Sequence, residues 1–417
     1  MVEPSAGTGA ARSLTAARVL EQAALAATLI VLARRLSVAS FGEASLAVAF
    51  QAVAITASDF GVGLALLRLP GRAPVDQRSR RRAQRINRWV LAGTALVTAL
   101  AAPVIGRPAV VVVVAGAMWW SSALAYIAKA ATLRARHPGR VASAEITSSI
   151  VFLALAVAVV GDDLPFVTLG GAYVVRNLVE AGALRSWSTA AFSPSGALLH
   201  SRWVWVTQVT SYVTANIDYL VVGLALGPVD LGIYSLAYRA ANLLPSQVSF
   251  VVGRVAILTL ADQAGADRWT AARSLVVRLF VLGSAASLLA LVVAPVVPDL
   301  LGEQWEPSVD VILVLLVGVP WRLVLPVAGL LALVEDKARA LVRWEVARLA
   351  LTAVALAVGS LGGVTGVAIA ATVVTIVATF VYDAAIGPRP SIARSGIVGP
   401  AAIASCVALG TVAALAG

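Results

Sequence analysis

The chain is 417 residues long, 60% hydrophobic and 13% charged, with a mean hydropathy of +0.90. Soluble domains carry about 25% charged residues, so a water-soluble fold is excluded, and continuous apolar runs exclude a β-barrel, whose strands alternate over about 10 residues. The formal charge of +11 does not mark a nucleic-acid partner, because the arginines sit in short loops without interleaved aromatics or any reader motif.

Residues 1–18 are small and polar, and the first apolar run reads as a resident helix rather than a cleavable signal peptide. Spans are predicted in chain order at 14–33, 41–67, 89–106, 108–132, 141–160 and 163–184. A polar connection follows, then a second set at 203–227, 230–257, 273–298, 309–333, 341–358 and 362–384, and a last span at 396–416. The implied organisation is an N-terminal six-helix lobe (1–184), a cytoplasmic linker (185–202), a C-terminal six-helix lobe (203–384) and an additional C-terminal helix (385–417). The single cysteine, Cys406, lies in an apolar run, and His137 and His200 fall in polar connections. These three residues build no disulfide framework, metal site or intramembrane histidine relay.

An internal repeat sets the architecture. TLIVLARRLSVASFGEASLAVAFQAVAITASDFGVG, from residue 28 to 63, aligns without a gap on DYLVVGLALGPVDLGIYSLAYRAANLLPSQVSFVVG, from 218 to 253. Val31/Val221, Leu36/Leu226, Gly42/Gly232, Ser45/Ser235 and Gly63/Gly253 are among the identical pairs. Both copies are apolar, as expected if one membrane-embedded half was duplicated to make the other. Cations concentrate in alternate loops: eight arginines between Arg68 and Arg88, then Lys129 to Arg140, Arg185 and Arg202, Arg268 and Arg273, Lys337 to Arg343, and Arg389 and Arg394. The intervening loops carry Asp162, Asp163, Asp230, Asp299, Glu303, Glu306 and Asp310. The positive-inside rule then places the N-terminus and the basic loops in the cytoplasm. Six spans separate the copies, so the repeat is parallel, with a pseudo-two-fold along the membrane normal and a central cavity between the lobes.

The stretches LARRLSVASFGEASLA, DYLVVGLALGPVDLGIYSLAYRAANLLP and LGEQWEPSVDVILVLL resemble the polysaccharide/oligosaccharide flippase family. That family includes O-antigen flippases and belongs to the multidrug/oligosaccharidyl-lipid/polysaccharide exporter superfamily. The resemblance covers nearly the whole chain. It implies an all-α integral membrane protein that exports lipid-linked glycans across the inner membrane by alternating access, with neither catalysis nor a cofactor. The implied partners are a lipid-linked oligosaccharide, membrane lipids and a polysaccharide polymerase or export machinery. Members have twelve or fourteen helices, and the thirteenth span here departs from that pattern.

Charges inside spans cost about 2.5–3.5 kcal/mol each on insertion scales and call for a partner, a wet cavity or a function. Arg322 lies mid-span in VGVPWRLVLPVAG between Pro320 and Pro326, which bend a helix and free backbone carbonyls. It reads either as a cavity-wall cation for phosphate or carboxylate, or as a cap for those carbonyls or the partner of an acid on another helix. Arg239, one position after Tyr238, reads as a bidentate phosphate ligand for a pyrophosphate-linked cargo or as the ion-pair partner of Asp218. With Asn216 and Tyr212 these make the hairpin of spans seven and eight the most polar of the outer halves. The first copy has Thr28 and Ala49 where the second has Asp218 and Arg239, so a headgroup site in this hairpin pair belongs to the C-terminal lobe.

Arg18/Glu21, Arg176/Glu180 and Glu345/Arg348 stand at three- or four-residue spacing and read as local pairs. Arg18 and Arg176 are the two that would instead line the cavity. Asp59, unpaired in sequence, is a candidate coupling-ion carboxylate or a helix-packing hydrogen-bonder, and Lys129 reads as a snorkelling end charge. Three other functions compete with the flippase. A cation-coupled drug or small-molecule antiporter would need a carboxylate cluster in the N-terminal lobe. A polymerase or glycosyltransferase would need a large external loop. A cell-wall lipid-precursor flippase differs only in cargo.

Overall fold

The computed structural model describes residues 20–21, 23–58, 108–134, 137–184, 197–261, 265–334 and 337–385, and these are almost wholly helical. The predicted spans at 89–106 and 396–416, Arg18, Asp59 and the arginine-rich stretch 68–88 lie outside the described residues. Contacts divide the chain into two compact units, Met1–Tyr212 and Val213–Gly417.

The first unit contains α1 (23–35), α2 (Val38–Ser58), α3 (Pro108–Arg134), α4 (Pro138–Val159) and α5 (Pro165–Leu184). The helix α6 (Ala197–Ala225) begins in this unit and continues into the second. α5 packs against α2, α3 and α4 and is the centre of the unit. Lipid tails are as apolar as leucine, so burial of apolar surface does not drive these helices together; close small-residue packing and interhelical hydrogen bonds must. Both occur. Gly170 on α5 lets Val114 and Met118 of α3 approach so closely that an added Cβ would lie 2.6 Å from Val114 Cγ1. Gln51 of α2 donates to Ser122 of α3 and Asn177 of α5, each at 3.2 Å, and Asn177 Nδ2 donates back to Ser121 and Ser122 at 3.1 and 3.0 Å. The four side chains satisfy one another inside the helix interface, which fixes its register.

The second unit continues with α7 (Pro228–Ala261), α8 (Gly265–Val293), the short α9 (Val297–Leu301), α10 (Pro307–Val317), α11 (Val319–Val334), α12 (Ala338–Gly359) and α13 (Gly363–Ala385). α7 packs on α10 and α11, α8 on α11, and α13 on α10 and α12. The predicted single span 309–333 is instead two helices, α10 and α11, bent by 41° at Gly318. Gly359 and Gly366 bring α12 and α13 into backbone contact, an added Cβ on Gly366 falling 2.3 Å from the Gly359 carbonyl oxygen.

The repeat is visible in the helix breaks. α1 ends at 35 and α2 starts at 38; α6 ends at 225 and α7 starts at 228, so each break recurs 190 residues on. The second turn uses Gly227 at φ +95° followed by Pro228, which cannot continue a helix but opens one well. The first uses Ser37, whose N–H and hydroxyl both donate to Asp162 Oδ1 at 3.0 Å, while Arg35 donates to the Val157 carbonyl at 2.6 Å. Four described stretches are long and apolar enough to cross a membrane, five if the bent pair counts as one span. The lipid-facing character is clearest on α8, where Leu288, Leu289 and Val292 are 66%, 66% and 75% exposed. The chain is a multi-pass α-helical membrane protein.

Candidate functional site

The polar groups of the second unit converge where α6, α7 and α11 carry Asp218, three tyrosines and two arginines. Asp218 is 5% exposed. Its Oδ2 accepts a hydrogen bond from the Tyr234 hydroxyl at 2.8 Å, and its Oδ1 accepts one from the backbone N–H of Tyr219 at 3.0 Å. Among the described residues no cation forms an ion pair with it, although the Arg322 charge acts on it through space. The pairing of Asp218 with Arg239, one of two readings open to the sequence, is therefore not the arrangement adopted. A tyrosine hydroxyl sixteen residues along the hairpin takes the carboxylate instead.

The three rings form one aromatic cluster. Tyr219 meets Tyr234 edge-on with centroids 6.2 Å apart and Tyr238 edge-on at 5.7 Å, while Tyr234 and Tyr238, one turn apart on α7, stack at 6.0 Å. Edge-to-face pairs suit the ring quadrupole, and the negative ring faces left over attract cations. Both arginines use them: Arg322 Cζ sits 4.9 Å from the Tyr238 centroid, and Arg239 Cζ sits 6.0 Å from that of Tyr219. Tyr238 is itself tethered, its hydroxyl donating to the Ala215 carbonyl of α6 at 3.2 Å. Arg239 Nε and Arg322 Nη1 are buried and find no acceptor among the described residues. Buried N–H groups without partners are rare because each costs about 1–3 kcal/mol, so two on guanidinium groups that flank one aromatic cluster mark a place where acceptors are wanted.

The helix break explains why Arg322 is free for this. Pro320 has no N–H for the Leu316 carbonyl, but Ser287 of α8 donates to that oxygen at 2.8 Å. The carbonyl released at the break is thus capped by serine, not by Arg322. Gly283 of α8 makes the approach possible, since an added Cβ there would stand 2.7 Å from Pro320 Cα. Trp321, 0% exposed, packs edge-on against Phe280 at 5.1 Å and belongs to the core. Asn216, two residues before Asp218, lies roughly 200° around α6 from it. Arg348 is paired with Glu345 at 2.6 Å, the local pair its spacing predicts, and its charge reaches Tyr238.

The first unit holds a different arrangement. Arg176 pairs with Glu21 of the first helical segment, and Lys129 pairs with Glu145 and, at 3.8 Å, with Glu180. The local pairing of Arg176 with Glu180 and the snorkelling role of Lys129 are both replaced by pairs between helices. An i,i+4 pair gains only a few tenths of a kcal/mol, whereas an unpaired charge inside a helix bundle costs several, so the partner that quenches a buried charge prevails.

Tyr219, Tyr234 and Ser287 were not singled out by sequence reasoning. A signal existed for the first two, because four of the chain's seven tyrosines fall between 212 and 238. Ser287 had none, since serine in an apolar span is ordinary and its acceptor is on another helix.

The fold and the charged interior define a class: a multi-helix membrane protein with polar groups packed inside its helix bundles. Known structures share the fold. The chain is similar to the lipid II flippase MurJ in an inward closed conformation, with a TM-score of 0.69 at 10% identity over 96% of this chain and 91% of that one. It is also similar to a multidrug resistance MATE family transporter of the MOP superfamily in an inward-facing conformation, with a TM-score of 0.59 at 14% identity over 87% and 92%. At these identities the likeness is one of fold. The family model for polysaccharide biosynthesis proteins matches residues 31–310, and the chain belongs to that family. No curated protein matches it in sequence.

Proposed function

We propose that this protein moves a polyprenyl-pyrophosphate-linked oligosaccharide from the cytoplasmic to the outer leaflet of the inner membrane by alternating access, for cell-surface polysaccharide synthesis. The observation that carries the reading is the pair Arg239 and Arg322, held over tyrosine rings with a buried N–H unused on each. Guanidinium groups match phosphate oxygens in geometry and hold them bidentately, and a diphosphate supplies the acceptors that the two orphaned donors lack. The diphosphate would be held at the arginines of the second unit, with the prenyl chain left in lipid, and alternating access would carry the headgroup across. Arg176, read from the sequence as a possible cavity residue, is engaged by Glu21, and this favours a structural role for it.

Family membership and the flippase and transporter folds of the structural neighbours support transport over catalysis. The antiporter alternative asks for a carboxylate cluster in the first unit; Glu21, Glu145 and Glu180 are each engaged there by Arg176 or Lys129, which favours a structural role for them. The test replaces Arg239 and Arg322 with alanine, singly and together, and measures glycan export in a strain lacking its own flippase. Export should fall at normal protein levels; full export would remove both residues from the proposal.

A further inference from the structure

We infer that Asp218 is an internal competitor for Arg322, and that the Tyr234 hydroxyl restrains it, so that Tyr234 sets how tightly the second unit holds an anionic headgroup. This rests on the reading of Arg239 and Arg322 as headgroup ligands.

The tension is in the charges. A buried carboxylate close to a half-buried guanidinium, as Asp218 is to Arg322 across the Tyr234–Tyr238 stack, would ordinarily pair with it, since a bidentate arginine–carboxylate contact is the strongest arrangement open to either. Such a contact would place a carboxylate where a cargo phosphate has to go. Here the pair is not formed, although the Arg322 charge acts on Asp218. Tyr234, 0% exposed and held between Tyr219 and Tyr238, donates its hydroxyl to Oδ2, and the Tyr219 N–H occupies Oδ1. Each carboxylate oxygen therefore has a neutral donor, while Arg239 Nε and Arg322 Nη1 remain without acceptors. The two observations are sides of one arrangement: neutral donors quench the acid so that the cations stay available. Removing the hydroxyl leaves Oδ2 buried and unsatisfied, with Arg322 as the cation whose field already reaches it. Pairing then becomes the cheapest remedy for both groups.

The first copy of the repeat has no such acid. Thr28 stands at the position of Asp218, and its hydroxyl donates to the Ala24 carbonyl of its own helix at 2.8 Å. The restraint is accordingly a property of the second copy, where the arginines are.

The test measures binding of geranyl-diphospho-N-acetylglucosamine, a short-chain diphosphate diester whose charge does not titrate near neutral pH, to the purified full chain in detergent. Tyr234→Phe should weaken binding on the order of tenfold, the size of one hydrogen bond to a charged group. Asp218→Asn should bind more tightly than the parent, and Asp218→Asn combined with Tyr234→Phe should recover affinity to at least the parent level. Recovery separates competition from damage, because removing a second partner does not repair a disrupted fold. If Tyr234→Phe fails to fold, Asp218→Asn alone decides: tighter binding supports the inference, and unchanged or weaker binding overturns it. Parent binding that depends on Arg239 and Arg322 but is indifferent to Tyr234 and Asp218 overturns this inference and leaves the proposed function standing. Absence of parent binding, or binding indifferent to both arginines, overturns the two together.

Discussion

Replacing Arg322 with alanine separates a binding role from a structural one, because the contacts it would lose are few. Among the described residues its guanidinium makes no ion pair, and its one defined contact is with the Tyr238 ring at 4.9 Å. A cation–π contact contributes about 0.5–2 kcal/mol, and removing the group also removes a buried unsatisfied N–H. The two changes oppose each other, so the melting temperature of the purified protein should move by only a few degrees. A charge-assisted hydrogen bond to a phosphate contributes about 1.5–3 kcal/mol, so loss of that contact should lower diphosphate affinity between about tenfold and a hundredfold. Arg322→Lys keeps the charge but loses the planar fork and should fall between the two. The assay is thermal unfolding beside headgroup binding on the same preparation. A large drop in melting temperature with affinity intact would refute the reasoning and make Arg322 a structural residue.

Three further outcomes follow from the packing. Ser287→Ala should destabilise the protein by about 1–3 kcal/mol in thermal unfolding, because the Leu316 carbonyl freed by Pro320 loses the side-chain donor that replaces the missing helix N–H. Gly283→Ala should cost about 1–3 kcal/mol in the same measurement, since its Cβ would lie 2.7 Å from Pro320 Cα on a backbone that cannot easily yield. Asp162 titrates below the ordinary carboxylate value because the Ser40 and Ser37 hydrogen bonds stabilise its ionised form. Its contribution is therefore complete above the unfolded value of about 3.9 and fades only as pH falls through the lower folded value. The hydrogen-exchange protection factor at the first turn of α2 should accordingly stay constant from neutrality to about that pH, and Asp162→Asn should lower it throughout.

The sequence revealed some levels of this structure and not others, and the division follows the range of the interactions. Helix positions and the register of the repeat were readable because hydropathy and turn residues act locally: Leu36 and Leu226 mark the same break in both copies, and Gly227–Pro228 announces the second. The bend near Pro320 was readable too, but the division of one span into α10 and α11 was not, because it depends on Gly283 and Ser287 of another helix. Arg239 and Arg322 drew attention because any mid-span charge does. Their partners stayed hidden: that Asp218 turns to Tyr234, and that Arg176 turns to Glu21 rather than to Glu180 four residues on, depends on which helices touch. A single sequence carries no such information, and local spacing suggested the wrong partner for Arg176.

The most direct test of the account is transport by the protein alone. The purified chain, reconstituted into liposomes, is supplied with a fluorescent polyprenyl-diphosphate oligosaccharide in one leaflet, and arrival in the other is followed by quenching. The account predicts translocation that the Arg239→Ala, Arg322→Ala double variant loses. Efflux of a cationic dye by the same liposomes with no movement of the glycolipid would contradict it.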